Sequence, residues 1–158
     1  MAVELIVGDR APDFSMPTDE GDTVSLSAHS GKIVVLYFYP KDDTSGCTSQ
    51  ALSFSADADA FAKAGAIVIG VSRDTVDSHA KFRKKHDLTI KLASDAAGAV
   101  TEAYGVWVEK SMYGRKYFGI ERSTFIIDRD SKIRSVWRKV KVPGHVESVL
   151  KTVKSMGA

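Results

Sequence analysis

Cysteine is almost missing from the 158 residues: only Cys47 is present. A lone thiol forms no internal disulfide, makes dithiol exchange the weakest reading because there is no Cys-x-x-Cys pair, and fits a reducing compartment. Charge of one sign is also missing. Lys and Arg number 22 against 20 Asp and Glu, interspersed and leaving a net +2, which argues against a nucleic-acid partner. No run approaches the roughly 20 apolar residues of a membrane span, so no membrane association is expected. Residues 1–10 lack a basic region, a long apolar core and a cleavage site, so export is not expected and the cytoplasm is the expected location. There is no repeat, linker or low-complexity segment, and the length with 44% hydrophobic residues fits one compact domain over 1–158. A Gly-rich phosphate loop and a dinucleotide fingerprint are absent. His29, His79, His86 and His145 lack close ligand spacing, so they are read as surface residues, and neither a metal nor another cofactor is expected.

What is present is organised around residues 32–50. The apolar run 33–38 is too short for a membrane and suits a strand buried on both faces. Pro40 ends it, and Asp-Asp-Thr-Ser-Gly supplies turn and N-cap chemistry for a following helix that carries Cys47 in its first turn. Backbone N–H groups and the positive end of the helix dipole there favour thiolate over thiol. Thr44, three residues earlier, is placed to offer its hydroxyl to the sulfur or to an incoming oxygen, or to act as an ordinary N-cap.

Along the rest of the chain, Gly and Pro punctuation over 8–31 permits only short extended pieces, read as a small hairpin or lid. Ala51, Phe54, Ala58, Phe61 and Ala62 follow helical spacing in one amphipathic helix that stops at Gly65. Residues 66–71 form a second buried strand, and strand, helix, strand makes a right-handed parallel unit. Asp74 is the expected N-cap of a helix reaching about His86, whose basic 81–86 segment reads as a solvated face. Residues 88–92 are a short strand or connection, Val100 to Tyr104 a brief helix ended by Gly105, and 106–114 an irregular, packed aromatic loop. Segments 122–127 and 132–137 flank Asp128-Arg129-Asp130-Ser131 as an antiparallel hairpin, which makes the sheet mixed. Val146, Val149, Leu150 and Val153 give a final helix. Trp107 and Trp137 read as core or rim packing, and Trp107, Tyr37, Phe38 and Tyr39 are candidates to border a pocket at Cys47.

A reactive thiol needs positive potential, and Arg122, at the mouth of a predicted strand, is a candidate to supply it. The segment from Pro40 through Thr44 to Cys47 resembles the peroxiredoxin signature of Pro, three residues, Thr, two residues, Cys. It is most similar to the peroxiredoxin Q, or bacterioferritin comigratory protein, branch. Further matching segments are residues 8–14, 70–74, 104–107 and 121–128, so the likeness spans nearly the whole chain. The resemblance implies an α/β thioredoxin-like fold, a mixed central sheet flanked by helices with an N-terminal hairpin extension. It also implies a thiol peroxidase for hydrogen peroxide and organic hydroperoxides, without a cofactor. In that scheme Cys47 is the peroxidatic nucleophile, Thr44 and Arg122 activate it, Pro40 shields it, and the N–H groups near Gly46 and Cys47 stabilise the departing oxygen. The likeness makes a monomer the expected state. The chain departs from the family at three positions: Leu52 and Arg83 stand near the two usual places of a resolving cysteine, and Ser45 where proline is common. An external thiol is therefore expected to recycle Cys47: thioredoxin, glutaredoxin with glutathione, or another small thiol. The competing reading is a non-enzymatic redox sensor or holdase switched by Cys47 oxidation.

Overall fold

All six residues of the run Ile33–Phe38 are buried and form the central strand of the structure, a computed structural model that describes residues 4–156. Residues 1–3 of the N-terminal segment read above for export signals lie outside the described residues. In chain order the elements are β1 (Ser15–Pro17), β2 (Thr23–Ser25), a 3-10 turn, β3 (Ile33–Phe38), α1 (Ser45–Ala56), α2 (Ala58–Lys63), β4 (Ala66–Ser72) and α3 (Val76–His86). They continue with β5 (Lys91–Ser94), α4 (Ala99–Ala103), β6 (Trp107–Met112), β7 (Arg115–Ile120), β8 (Ser123–Ile127), β9 (Ile133–Trp137) and α5 (His145–Ser155).

The main sheet runs β5-β4-β3-β8-β9, parallel from β5 to β3 and antiparallel from β3 to β9. Alternation along β3 sorts the core into two layers. Val34, Leu36 and Phe38 join Phe14, Met16, Tyr104 and Phe125 beneath the N-terminal hairpin β1–β2 and α4. Ile33, Val35 and Tyr37 join Cys47, Phe54, Phe61, Phe82 and Val149 beneath α1, α2, α3 and α5. The mixed sheet and the small N-terminal hairpin match expectation. Among the described residues no helix is long and apolar enough to cross a membrane.

Three local readings are corrected, and one is given its bounds. The single helix expected after Cys47 is two, because Asp57 leaves helical angles (φ −99°, ψ 8°) between α1 and α2. The bend brings Phe54 and Phe61 into one layer, with ring centroids 5.8 Å apart. The N-cap of α3 is Thr75, whose hydroxyl accepts from the Ser78 N–H, while the Asp74 carboxylate is taken by Ser72 and the Asp42 N–H. Residues 88–92, read as a short strand or connection, are connection up to Ile90 and then enter β5 at Lys91.

The 106–114 stretch is not irregular: β6 pairs with β7 through a two-residue turn in which Tyr113 (φ 52°) and Gly114 (φ 77°) both take left-handed angles. Its strands are largely exposed, so they lack the alternation that betrays a half-buried strand. Trp107 packs there on the rim, 3.4 Å beneath the Arg73 guanidinium and stacked with Phe118. Within the basic 81–86 segment, Lys81 and Lys84 are exposed as expected. Phe82 is buried, and Arg83 is bonded to Asp19 and to the carbonyls of Leu88 and Ile90.

Candidate active site

Pro40 and Lys41 leave the end of β3 exposed, Asp42 turns inward, and Asp43 takes a left-handed angle (φ 61°) that short polar side chains tolerate. Lys85 and His86 hold the Asp43 carboxylate from α3 at 2.7 and 2.8 Å. Thr44 is the N-cap of α1 in extended geometry, so Ser45, Gly46 and Cys47 form the first turn, as the sequence implies. N–H groups of such a turn lack intrahelical partners and carry the positive end of the helix dipole.

Cys47 is 1% exposed, and Arg122 Nη2 donates to its Sγ at 3.2 Å. Arg122 leads into β8, next to Phe38 of β3 through the Phe38–Ser123 register, which is why two segments 75 residues apart meet. Its other terminal nitrogen, Nη1, donates to Gln50 Oε1 at 2.6 Å, and its carbonyl accepts from the Val140 N–H. Gly46 makes room for the guanidinium, since a Cβ on it would lie 3.2 Å from Nη2.

Of the residues singled out from the sequence, Cys47, Gly46 and Arg122 are therefore brought together. Thr44 is adjacent, but its exposed hydroxyl donates to the Lys41 carbonyl at 3.0 Å and makes no capping bond. Pro40 is exposed at the entrance to the loop. Tyr37 and Tyr39 share the apolar layer of Cys47, whereas Phe38 and Trp107 belong to the opposite layer and do not border the thiol.

The sequence reading missed three neighbours, Gln50, Lys110 and His145. Gln50 is fully buried three residues after Cys47, a helical i+3 spacing that would have placed it on the same face. Lys110 on β6 donates to the Ile120 carbonyl at 2.5 Å, and burial together with the nearby Arg122 pushes its pKa down. His145 is 6% exposed, not a surface residue, and sits 2.7 Å from Thr124 Oγ1. Burial, helped by Arg122, lowers its pKa to about 4, so it is neutral at pH 7. Tyr37 stacks on Phe54 with its ring against Gly70, and burial, then the nearby Cys47, pushes its pKa up. Among the described residues, Tyr37 Oη and Gln50 Nε2 are buried without a hydrogen-bond partner.

His79 is a second histidine misread as surface; it is fully buried. Asp42, Asp74 and His79 form the one group of potential metal ligands among the described residues, their ligand atoms within 4.8 Å of one another. Hydrogen bonds already engage both Asp42 oxygens and both His79 nitrogens. Chemically, the Cys47 site offers a sulfur nucleophile, a fixed cation and helix N–H donors inside a water-poor layer. That set suits an attack in which charge moves from sulfur onto a departing oxygen.

Residues 7–136 match the model of the AhpC/TSA family. The chain is 47% identical over 156 residues to the peroxiredoxin Bcp of Bacillus subtilis, covering 99% of this chain and 98% of that one. It is 42% identical over 150 residues to the peroxiredoxin Bcp of Escherichia coli, covering 95% and 96%. Peroxiredoxin Q of Xylella fastidiosa superposes with a TM-score of 0.92 at 38% identity, covering 98% of each chain. A structure of the Xanthomonas campestris bacterioferritin comigratory protein, concerned with its alkyl peroxide reduction activity, superposes with a TM-score of 0.88 at 42% identity, covering 99% of each chain.

Proposed function

The chain belongs to the AhpC/TSA family, in its Bcp or peroxiredoxin Q branch, and is a thiol peroxidase with a thioredoxin-like fold; on that premise we propose that Cys47 is its nucleophile. The observation that carries this reading is the 3.2 Å hydrogen bond from Arg122 Nη2 to Cys47 Sγ. The Cys47 thiolate attacks the terminal peroxide oxygen, forming an S–O bond as the O–O bond breaks. The electron pair passes to the departing oxygen, which takes up a proton and leaves as water or an alcohol. Arg122 and the N–H groups of Gly46 and Cys47 face the charge as it moves, which is where preorganised donors lower a barrier most. The exposed Thr44 hydroxyl exchanges its bond to Lys41 for one to the incoming peroxide, and Pro40 borders the entrance.

Cys47 is left as sulfenic acid, which condenses with an external thiol to give a mixed disulfide and water; a second thiol then releases Cys47. Peroxide and a thiol reductant are its reactants as a peroxiredoxin. We assign hydrogen peroxide and small organic hydroperoxides as substrates, the latter by analogy with the X. campestris protein. Thioredoxin, or glutaredoxin with glutathione, is the reductant, and the protein acts as a cytoplasmic monomer of one domain. Family membership does not favour a non-enzymatic sensor or holdase.

Steady-state peroxide consumption, with thioredoxin, glutaredoxin plus glutathione, and dithiothreitol run in parallel, tests the proposal. Repeated turnover that Cys47→Ser abolishes is the expected result. Consumption unchanged by that substitution, or one equivalent of peroxide per protein with every donor, overturns it.

A further inference from the structure

His79 has both ring nitrogens turned to oxygen acceptors: Nδ1 lies 2.7 Å from Asp42 Oδ2, and Nε2 lies 2.9 Å from the carbonyl oxygen of Ala93 on β5. A carbonyl oxygen only accepts, so Nε2 carries a proton. Asp42 also receives the Tyr39 hydroxyl on Oδ1 at 2.5 Å and the Ser78 hydroxyl on Oδ2 at 2.8 Å. These two hydroxyls donate to both carboxyl oxygens, which favours the carboxylate. A carboxylate oxygen 2.7 Å from a ring nitrogen calls for a proton between them, so Nδ1 carries one as well. The ring is an imidazolium, fully enclosed and paired with a buried carboxylate.

The pair sits at the root of the active-site loop. Asp42 lies five residues before Cys47, in the connection from β3 to α1, and its N–H donates to Asp74 Oδ2 at 2.8 Å. Ser72 fixes Asp74 in turn through a 2.6 Å bond. The loop is thereby moored to β3 through Tyr39, to the end of β4 through Ser72 and Asp74, to α3 through Ser78 and His79, and to β5 through Ala93. We propose that the buried His79 imidazolium positions the Cys47 loop through Asp42, so that reactivity toward peroxide depends on His79 keeping its proton.

Loss of that proton leaves a buried carboxylate short of a charged donor, and the loop relaxes to rehydrate it. Cys47 then shifts against Arg122. The groups facing His79 are Asp42, Asp74, the Tyr39 phenol, the Ser78 hydroxyl and the Ala93 carbonyl. Burial by itself would lower the pKa of His79, but Asp42, the Ala93 carbonyl and Asp74 outweigh it and hold the pKa above the usual value of 6.5. The mooring is therefore complete below 6.5 and fails as pH rises through the raised value. A thiol nucleophile gains reactivity with rising pH, so the two effects oppose and give an alkaline limb that belongs to His79.

The test has two arms. Nitrogen NMR of the wild-type imidazole rings reads His79 directly, with both nitrogens protonated at neutral pH as the expected result. Stopped-flow tryptophan fluorescence gives the rate of Cys47 with hydrogen peroxide between about pH 5 and about pH 9 for wild type, His79→Gln and Asp42→Asn. Both variants are expected to slow roughly tenfold to a hundredfold at neutral pH, with the alkaline limb gone. A neutral His79 tautomer in the wild-type spectrum overturns the inference even if a variant fails to fold, and so does a wild-type rate and profile in His79→Gln. The inference rests on Cys47 as nucleophile; an active Cys47→Ser would remove that reading, whereas a neutral His79 would remove only this one.

Discussion

Arg122 reaches Cys47 across Gly46: its Nη2 lies 3.2 Å from the sulfur and would lie 3.2 Å from any Cβ that Gly46 carried. The guanidinium would have to retreat by a few tenths of an ångström from Gly46→Ala. Because alanine suits a helix better, by up to about 1 kcal/mol, the variant should melt no lower than wild type. Its peroxide rate should nevertheless fall roughly threefold to tenfold, through weaker contact of Arg122 with the transition state. Thermal melting and stopped-flow rates check both halves; an unchanged rate would show that the close approach is incidental.

Gln50 orients Arg122 through one short bond, and its own Nε2 has no partner among the described residues. Gln50→Leu removes the bond and the orphaned donor together, so the unfolding free energy should change by less than about 1.5 kcal/mol. The rate with peroxide should drop about tenfold, since Arg122 loses its guide. A loss of stability without a loss of rate would make Gln50 purely structural.

The Tyr37 hydroxyl is buried against Gly70 with no partner among the described residues, a cost the fold carries. Tyr37→Phe keeps the ring stacked on Phe54 and should raise the unfolding free energy by about 1 kcal/mol. Gly70→Ala should do the opposite, because its Cβ would fall 2.7 Å from the Tyr37 ring, and overpacking of this kind costs about 1–3 kcal/mol. Urea titrations of the two variants would settle the pair of signs.

His145 makes stability depend on acid. Its pKa drops from 6.5 to about 4 on folding, so the unfolded chain binds the extra proton between those values. The contribution is complete above 6.5 and is lost as pH falls toward about 4. His145→Gln should remove roughly 1–2 kcal/mol of the difference in unfolding free energy between neutral and acid pH, a figure reduced for solvent screening. An identical pH slope in the variant would assign the acid sensitivity elsewhere.

The central strand, the helix start at Cys47 and the antiparallel hairpin at the far end of the chain were legible because each follows from a short-range rule. Six apolar residues before a proline need no partner to be read, and neither does the stripe of Val146, Val149 and Val153. The β6–β7 hairpin was not legible, since its exposed strands carry no apolar alternation and its turn rests on Tyr113 taking an angle that only Gly114 advertises. His79 and His145 were misread for a different reason: spacing along the chain says nothing of the Asp42 and Thr124 oxygens that make their burial tolerable. At the site, Cys47 and Arg122 could be named in advance through the family likeness. Gln50 carried a signal in its i+3 spacing, whereas the orientation of the Thr44 hydroxyl depends on a carbonyl three residues upstream and has no signature.

With 1% of its surface exposed, the Cys47 sulfur is closed to a protein thiol in this arrangement of α1. If the reductant is a protein thiol, as proposed, the first turn of α1 has to come apart before it reaches the oxidised sulfur. The resolving rate is then the intrinsic exchange rate multiplied by the fraction of molecules in which that turn is open. The turn is anchored on the end of a wholly buried strand. On the proposed mechanism, enclosure of the thiol thus acts as a clock: the interval before the oxidised sulfur is reduced is written in the local stability of a single helical turn.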